Sequence, residues 1–183
     1  DHASPFVQEL AYEHSSCAHA DYLEHVERQI VTAVCQADDR RTASVAGVGS
    51  GREEEAAYNR RFRMENGLTY THPGQMHPNI VEVAGPIDPE VGVIGSWDAN
   101  GDLLGCIVTY ACHATTSPGG ISANWIYYME QTIRGAVGAE VPVVFLTAPS
   151  ADITQVDNQS PYENPSGEEW AELVGGRVGA EAV

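Results

Sequence analysis

Two stretches constrain this chain more than any others. "DLLGCIVTYAC" (102–112) and "VPVVFLTA" (141–148) are apolar in both alternating registers. A strand of this kind is buried on both faces, which is the pattern of a central strand in a helix-covered sheet. Between them, Ser122 opens a segment that carries Ile126, Met129, Ile133 and Val137 on one helical stripe, and Gly138 ends it. Strand, helix and strand in this order read as a crossover that joins two parallel strands. Upstream, "VGVIGSWD" (91–98) and the turn "ANG" make a hairpin with the first buried strand. The expected class is α/β, a mixed β-sheet core flanked by helices.

The rest of the chain is read around this core. Residues 1–20 are polar and irregular. Asp21 opens a helix with Glu24 as its capping-box partner, and Leu23, Val26, Ile30, Ala33, Val34 and Ala37 keep helical spacing to about Asp38. "TASVAGVGS" (42–50) is a strand that ends in glycine. Residues 51–90 read as a long irregular connection, which in a compact domain is functional or outside the core. Ser166 and Glu169 form a capping box for a last helix with Trp170, Leu173, Val174 and Val178 inward. A length of 183 residues suits a single domain, 1–183. The abrupt opening at "DHASP" and the close inside a helical pattern read as a piece of a longer protein.

Charge and cysteine usage narrow the partners. The net charge is −17 and lysine is absent, so the surface repels phosphate backbones, and no nucleic acid is expected. No run approaches the ~20 apolar residues of a membrane-spanning helix. Cys106 and Cys112 belong to one strand, about 20 Å apart, too far to bridge. Cys17 and Cys35 flank the first helix and are also poorly placed. Neither CxxC nor HExxH occurs.

Chemistry is expected where the buried strands run out, because ligands gather beyond the carboxyl ends of strands in α/β sheets. One strand ends in "HATTSPGG" and the other in "PSADITQVDN", which places His113, Asp152 and Thr154 at one rim. His113 is a metal ligand or acid/base held by a rigid strand end, or a core histidine bonded to a backbone carbonyl. Thr154 is a nucleophile assisted by Asp152 or a metal, or a loop threonine with a local hydrogen bond. Arg60 and Arg61 clamp an anionic group, or form salt bridges. Asp157 and Asn158 shape a turn. His2 and His14 carry less weight, and His19, His25, His72 and His77 read as solvent-facing.

Several segments, in order, resemble the neutral ceramidase family, in particular its bacterial ceramidase-like hydrolases. "DHASP" is similar to the family's "HTHSGP", and "YNRRF" resembles its "NR" signature. "AGPIDPEVGVIGSWDANGDLLGCIVTYACHATT" (84–116) resembles the block "DPEVGV…D…G…FACHP". "FLTAPSADITQVDN" is similar to the strand and loop that carry the nucleophile motif "GDVSPN". The resemblance implies a ceramidase-like catalytic domain and a secreted or periplasmic zinc amidase of sphingolipid metabolism, which splits an N-acyl lipid amide into fatty acid and amine. It puts His113 at a zinc-ligand position and His2 at the second histidine of "HTHSGP", and the first, also a ligand, would lie before residue 1. It puts Arg60 at a substrate-binding position, Thr154 at the nucleophile and Asp152 at the acidic residue of the motif. The chain departs from the family in Thr154 for serine and Gln155 for the proline that follows. Those departures leave two rivals: a metallohydrolase of a soluble non-lipid substrate, and a non-catalytic protein that keeps the fold.

Overall fold

The computed structural model describes residues 19–183, and the readings for residues 1–18, His2, His14 and Cys17 among them, lie outside the described residues. The chain divides into two units, with the boundary between Ala43 and Ser44. In the first, helix α1 spans Ala20–Asp39 and begins at His19 with no side-chain cap. The expected capping box is not formed: Asp21 sits inside the first turn, and Glu24 pairs with Arg28 one turn on, at 2.7 Å.

The second unit is built on a four-stranded sheet in the order β1 (Val45–Arg52), β6 (Glu90–Trp97), β7 (Leu103–Tyr110), β8 (Val143–Thr147). β1–β6 and β6–β7 are antiparallel, and β7–β8 are parallel, so the sheet is mixed as expected. Helix α2 (Trp125–Val137) is the crossover, and helix α3 (Glu168–Glu181) packs on it. The parallel register aligns Tyr110 with Thr147, which brings the carboxyl ends of both strands to one edge.

One face of the sheet carries the core. Val91, Val108 and Val143 lie beneath Trp125, Met129 and Ile133 of α2 and Ala171, Val174 and Val178 of α3. Trp125 is the centre of an aromatic group, edge-on to Tyr110 and Phe145 at centroid distances of 6.2 and 5.0 Å. The other face departs from the expectation of double burial. Val48, Ile94, Ile107 and Val144 form one cross-strand row, and among the described residues this row is exposed, with Val48 at 85%. Apolar composition reports what a strand can bury, while its neighbours decide what it does bury.

The helix caps also differ from expectation. Asn124, not Ser122, caps α2, its side chain accepting from Trp125 N at 2.9 Å, while Ser122 Oγ accepts from Asn124 N. Gly167 precedes α3 at φ 87°, a left-handed conformation natural to glycine, so Ser166 and Glu169 make no box. Val137 and Leu173 face solvent, and the inward face of α3 uses Gly175 and Gly179 instead.

Residues 51–90 are not irregular. They hold β2 (Tyr58–Asn59) and a three-stranded antiparallel sheet in the order β4 (Thr69–Thr71), β3 (Arg61–Met64), β5 (Ile80–Val83). Strands of two to four residues carry too few side chains for their alternation to register in sequence. β2 pairs antiparallel with β9 (Ile153–Thr154), which carries this segment to the edge where the two parallel strands end.

Candidate active site

β9 lies between the segment after β7 and the segment around β2, and each side of it is bonded to one of them. On the first side, His113 N donates to Ile153 O at 3.3 Å, and His113 Nδ1 lies 2.8 Å from the same oxygen. A carbonyl only accepts, so Nδ1 carries the proton and the lone pair of the neutral ring resides on Nε2. Trp125 Nε1 donates to His113 O at 2.9 Å, so the backbone of this residue is held from the α2 side as well. Both readings of His113 meet here: the ring is bonded to a backbone carbonyl, and that bond is the kind that orients a metal-ligating imidazole.

On the second side, Tyr58 pairs with Thr154 and Asn59 with Ile153. Arg60 N donates to Asp152 O at 2.8 Å, and an Arg60 guanidinium nitrogen donates to Ala151 O at 2.6 Å. The ion pairs among the described residues do not include Arg60. Its guanidinium is oriented by a backbone carbonyl. Asp152 Oδ2 accepts from Asn59 Nδ2 at 3.0 Å, and Asn59 Nδ2 also reaches Pro86 O at 3.2 Å. Asp152 lies in the turn that leads into β9, closed by Ile153 N donating to Ser150 O at 2.8 Å, two residues before Thr154. Burial, with the carboxylates of Asp157 and Glu55 nearby, holds the Tyr58 phenol above its usual range.

The structure thus brings His113, Asp152, Thr154 and Arg60 together around one two-residue strand. His2 lies outside the described residues. Among the described residues, no three His, Cys, Asp or Glu side chains come together to hold a metal ion. The Nε2 lone pair of His113 is a donor of the chemistry that a zinc site uses. His72 is exposed as read, yet its Nδ1 bonds Asn158 Oδ1 at 3.0 Å and its N donates to Arg60 O at 2.9 Å, so it belongs to the wall beside Arg60.

Sequence reasoning missed Asn59, Thr115 and Trp125, and met Gln155 only as a departure from the family's motif. Asn59 is 4% exposed and fixes Asp152, while Gln155, 2% exposed, bonds Thr115 of the loop that follows His113. Polar residues inside motif segments were their only signal. Beside them, burial pushes the Cys112 thiol up to about 12.

No protein-family model matches the chain, and no curated protein does. Solved structures do. The neutral ceramidase from Pseudomonas aeruginosa superposes with a TM-score of 0.58 at 24% identity, over 84% of this chain and 24% of that one. A structure described as ceramidase complexed with C2 gives a TM-score of 0.58 at 23% identity, over 80% of this chain and 23% of the other. The chain therefore has a ceramidase-like fold, and it spans about a quarter of the length of the ceramidases it matches.

Proposed function

We propose that this chain forms part of a zinc-dependent amide hydrolase of the neutral ceramidase kind, acting on an N-acyl, lipid-like amide. The observation that carries the reading is the bond from His113 Nδ1 to Ile153 O, one residue before Thr154, which commits the ring's lone pair to Nε2. The ceramidase-like fold supports the same reading. His113 and His2 would contribute metal ligands, with further donors outside the described residues. When bound, zinc supplies positive charge that polarises the amide carbonyl and acidifies an attacking hydroxyl or water.

The other roles belong to the chain's own side chains. Thr154 Oγ1 would attack the carbonyl carbon, forming an ester as the amine leaves, and water would then release the fatty acid. Asp152, whose Oδ2 is anchored by Asn59, would take the hydroxyl proton on Oδ1 and pass it to the amine nitrogen as it leaves. Arg60 would bind the polar head of the substrate or the developing oxyanion. One observation favours a different reading: Thr154 is only 2% exposed, as a structural threonine in a non-catalytic relative of the fold would be.

Zinc content and turnover of a fluorogenic N-acyl amide test these readings, with metal analysis, melting temperature and rate measured on wild type and variants. His113→Ala should lose zinc. Thr154→Val should abolish turnover with zinc and fold intact, and Thr154→Ser should keep or raise it by removing the crowding methyl. Zinc unchanged in His113→Ala would remove that ligand. A zinc-loaded wild type and a Ser form equally inert across an amide screen would establish the non-catalytic reading.

A further inference from the structure

The glutamine that follows Thr154 is not explained by the reaction proposed above, and its surroundings are specific. Gln155 is 2% exposed. Its Oε1 lies 3.2 Å and its Nε2 3.0 Å from Thr115 Oγ1, so a single hydroxyl serves both ends of the amide, donating to one and accepting from the other. Cys112 Sγ stands 4.0 Å from the same Oε1. The residues that receive this amide therefore flank His113 on both sides. A buried amide is costly to desolvate, and it is retained where its hydrogen bonds select one arrangement of the parts they join.

The parts joined here are the two loops that carry the chemistry. Backbone and ring bonds run from His113 to Ile153, and the amide bond runs from Gln155 to Thr115. Thr154 lies between the two anchor points on its strand, and His113 lies between Cys112 and Thr115 on the other segment. The far side of the histidine loop is fixed separately, by Thr116 Oγ1 donating to Asn124 Oδ1 at 2.7 Å and Gly167 N donating to Thr116 O at 2.6 Å. That side is tied to the start of both helices, and a shift of the loop along or away from β9 would have to break the bonds on its other side. The Thr115–Gln155 bond opposes that shift.

We propose that Gln155, through Thr115, is a positioning residue that sets the orientation of the His113 ring relative to Thr154. As a statement about metal binding and turnover, the proposal rests on the zinc hydrolase reading, but as a statement about the ring it does not. Ligand and nucleophile positions have to hold to within about half an ångström, and the ring's bond to Ile153 O keeps its geometry only while the backbone of the histidine loop holds its place beside β9. The clasp two residues beyond the histidine helps to hold that backbone in place. Loss of a partner that orients a metal-ligating histidine weakens metal binding by roughly 10- to 100-fold, the scale expected here.

The experiment uses Thr115→Val, Thr115→Ser, Gln155→Met and the Val/Met double variant, each with its melting temperature. Two readouts are followed. One is the nitrogen-15 NMR signature of the His113 ring in metal-free protein at mildly alkaline pH, where imidazole is neutral and the tautomer can be read. The other is zinc affinity by competition with a chelator. Wild type and Thr115→Ser should show the Nδ1-protonated tautomer. Thr115→Val and Gln155→Met should each show a mixture of tautomers and bind zinc roughly 10-fold more weakly, and the double variant should be no worse than the singles. Thr115 is solvent-facing, so its valine form keeps the test alive if the Gln155 variants fail to fold. Folded variants with an unchanged ring signature and unchanged zinc affinity overturn the proposal. A wild type that binds no zinc but whose ring signature shifts in the variants refutes the metal reading and leaves the positioning role standing. A wild type that binds zinc, with variants that lose only melting temperature, refutes the positioning role and leaves the metal reading standing.

Discussion

Replacing Gly175 by alanine tests how closely the two helices over the sheet approach each other. A Cβ at this position would overlap Trp125 O and lie 2.7 Å from both Met129 N and Tyr128 Cβ. Two of these three atoms belong to the α2 backbone and cannot rotate away, so the helices must part by roughly 1 Å to restore ordinary contact distances. Overfilling a packed interface costs about 1–3 kcal/mol. Alanine in place of glycine within a helix returns about 0.5–1 kcal/mol. The net effect is destabilisation by about 1–2 kcal/mol, read as a melting temperature lower by roughly 2–8 °C for a chain of this size. Gly135→Ala is the control: no heavy atom lies within 4 Å of its added Cβ, so only the helical gain remains, and the melting temperature should rise by roughly 1–4 °C. Thermal and urea melts of both variants, followed by circular dichroism, supply the measurement. A Gly175→Ala protein as stable as wild type, beside a stabilised Gly135→Ala, would refute the close approach. The site should respond as well, because Trp125 donates to His113 O from the first residue of the helix that is pushed outward.

Three further outcomes follow from the same geometry. Asn59→Leu removes the partner of Asp152 Oδ2 and of Arg61 N, and should cost about 2–3 kcal/mol in urea unfolding; a loss under about 0.5 kcal/mol would deny Asn59 its bracing role. Arg177→Met leaves Glu53, 5% exposed, without the guanidinium now 2.9 Å away. Because Arg177 is itself partly exposed, the expected loss is about 2 kcal/mol rather than the larger figure of a fully buried pair, and Glu53→Gln in the same background should recover part of it. The phenol of Tyr110 is raised above its ordinary value, chiefly by burial. The folded state therefore keeps a proton that the unfolded chain releases above about pH 10, and stability falls as pH rises through that point, by up to about 1.4 kcal/mol per unit from this group. Tyr110→Phe should flatten that slope in urea melts at a series of alkaline pH values; an unchanged slope would assign it to other groups.

Local pattern was enough for the parts of this fold that depend on long runs. The apolar stretches at 102–112 and 141–148, with an amphipathic helix between them, specify two parallel strands and a crossover, because hydrophobic period over eight or more residues is a short-range property. The same runs locate the strand ends, and so His113, Asp152 and Thr154, before any coordinates. What short-range pattern does not carry is pairing between distant segments. The two-residue strand at Ile153–Thr154 is defined by its partner at Tyr58–Asn59, more than ninety positions upstream, and that pairing is what brings Arg60 to the site. Cap identity moved from Ser122 to Asn124 for a similar reason: either side chain can accept a backbone N–H, and Thr116 holds the oxygen of one of them in place. Which face of each sheet strand is covered, which nitrogen of His113 keeps its proton, and why a glutamine follows Thr154 were all decided by what the tertiary structure places opposite them.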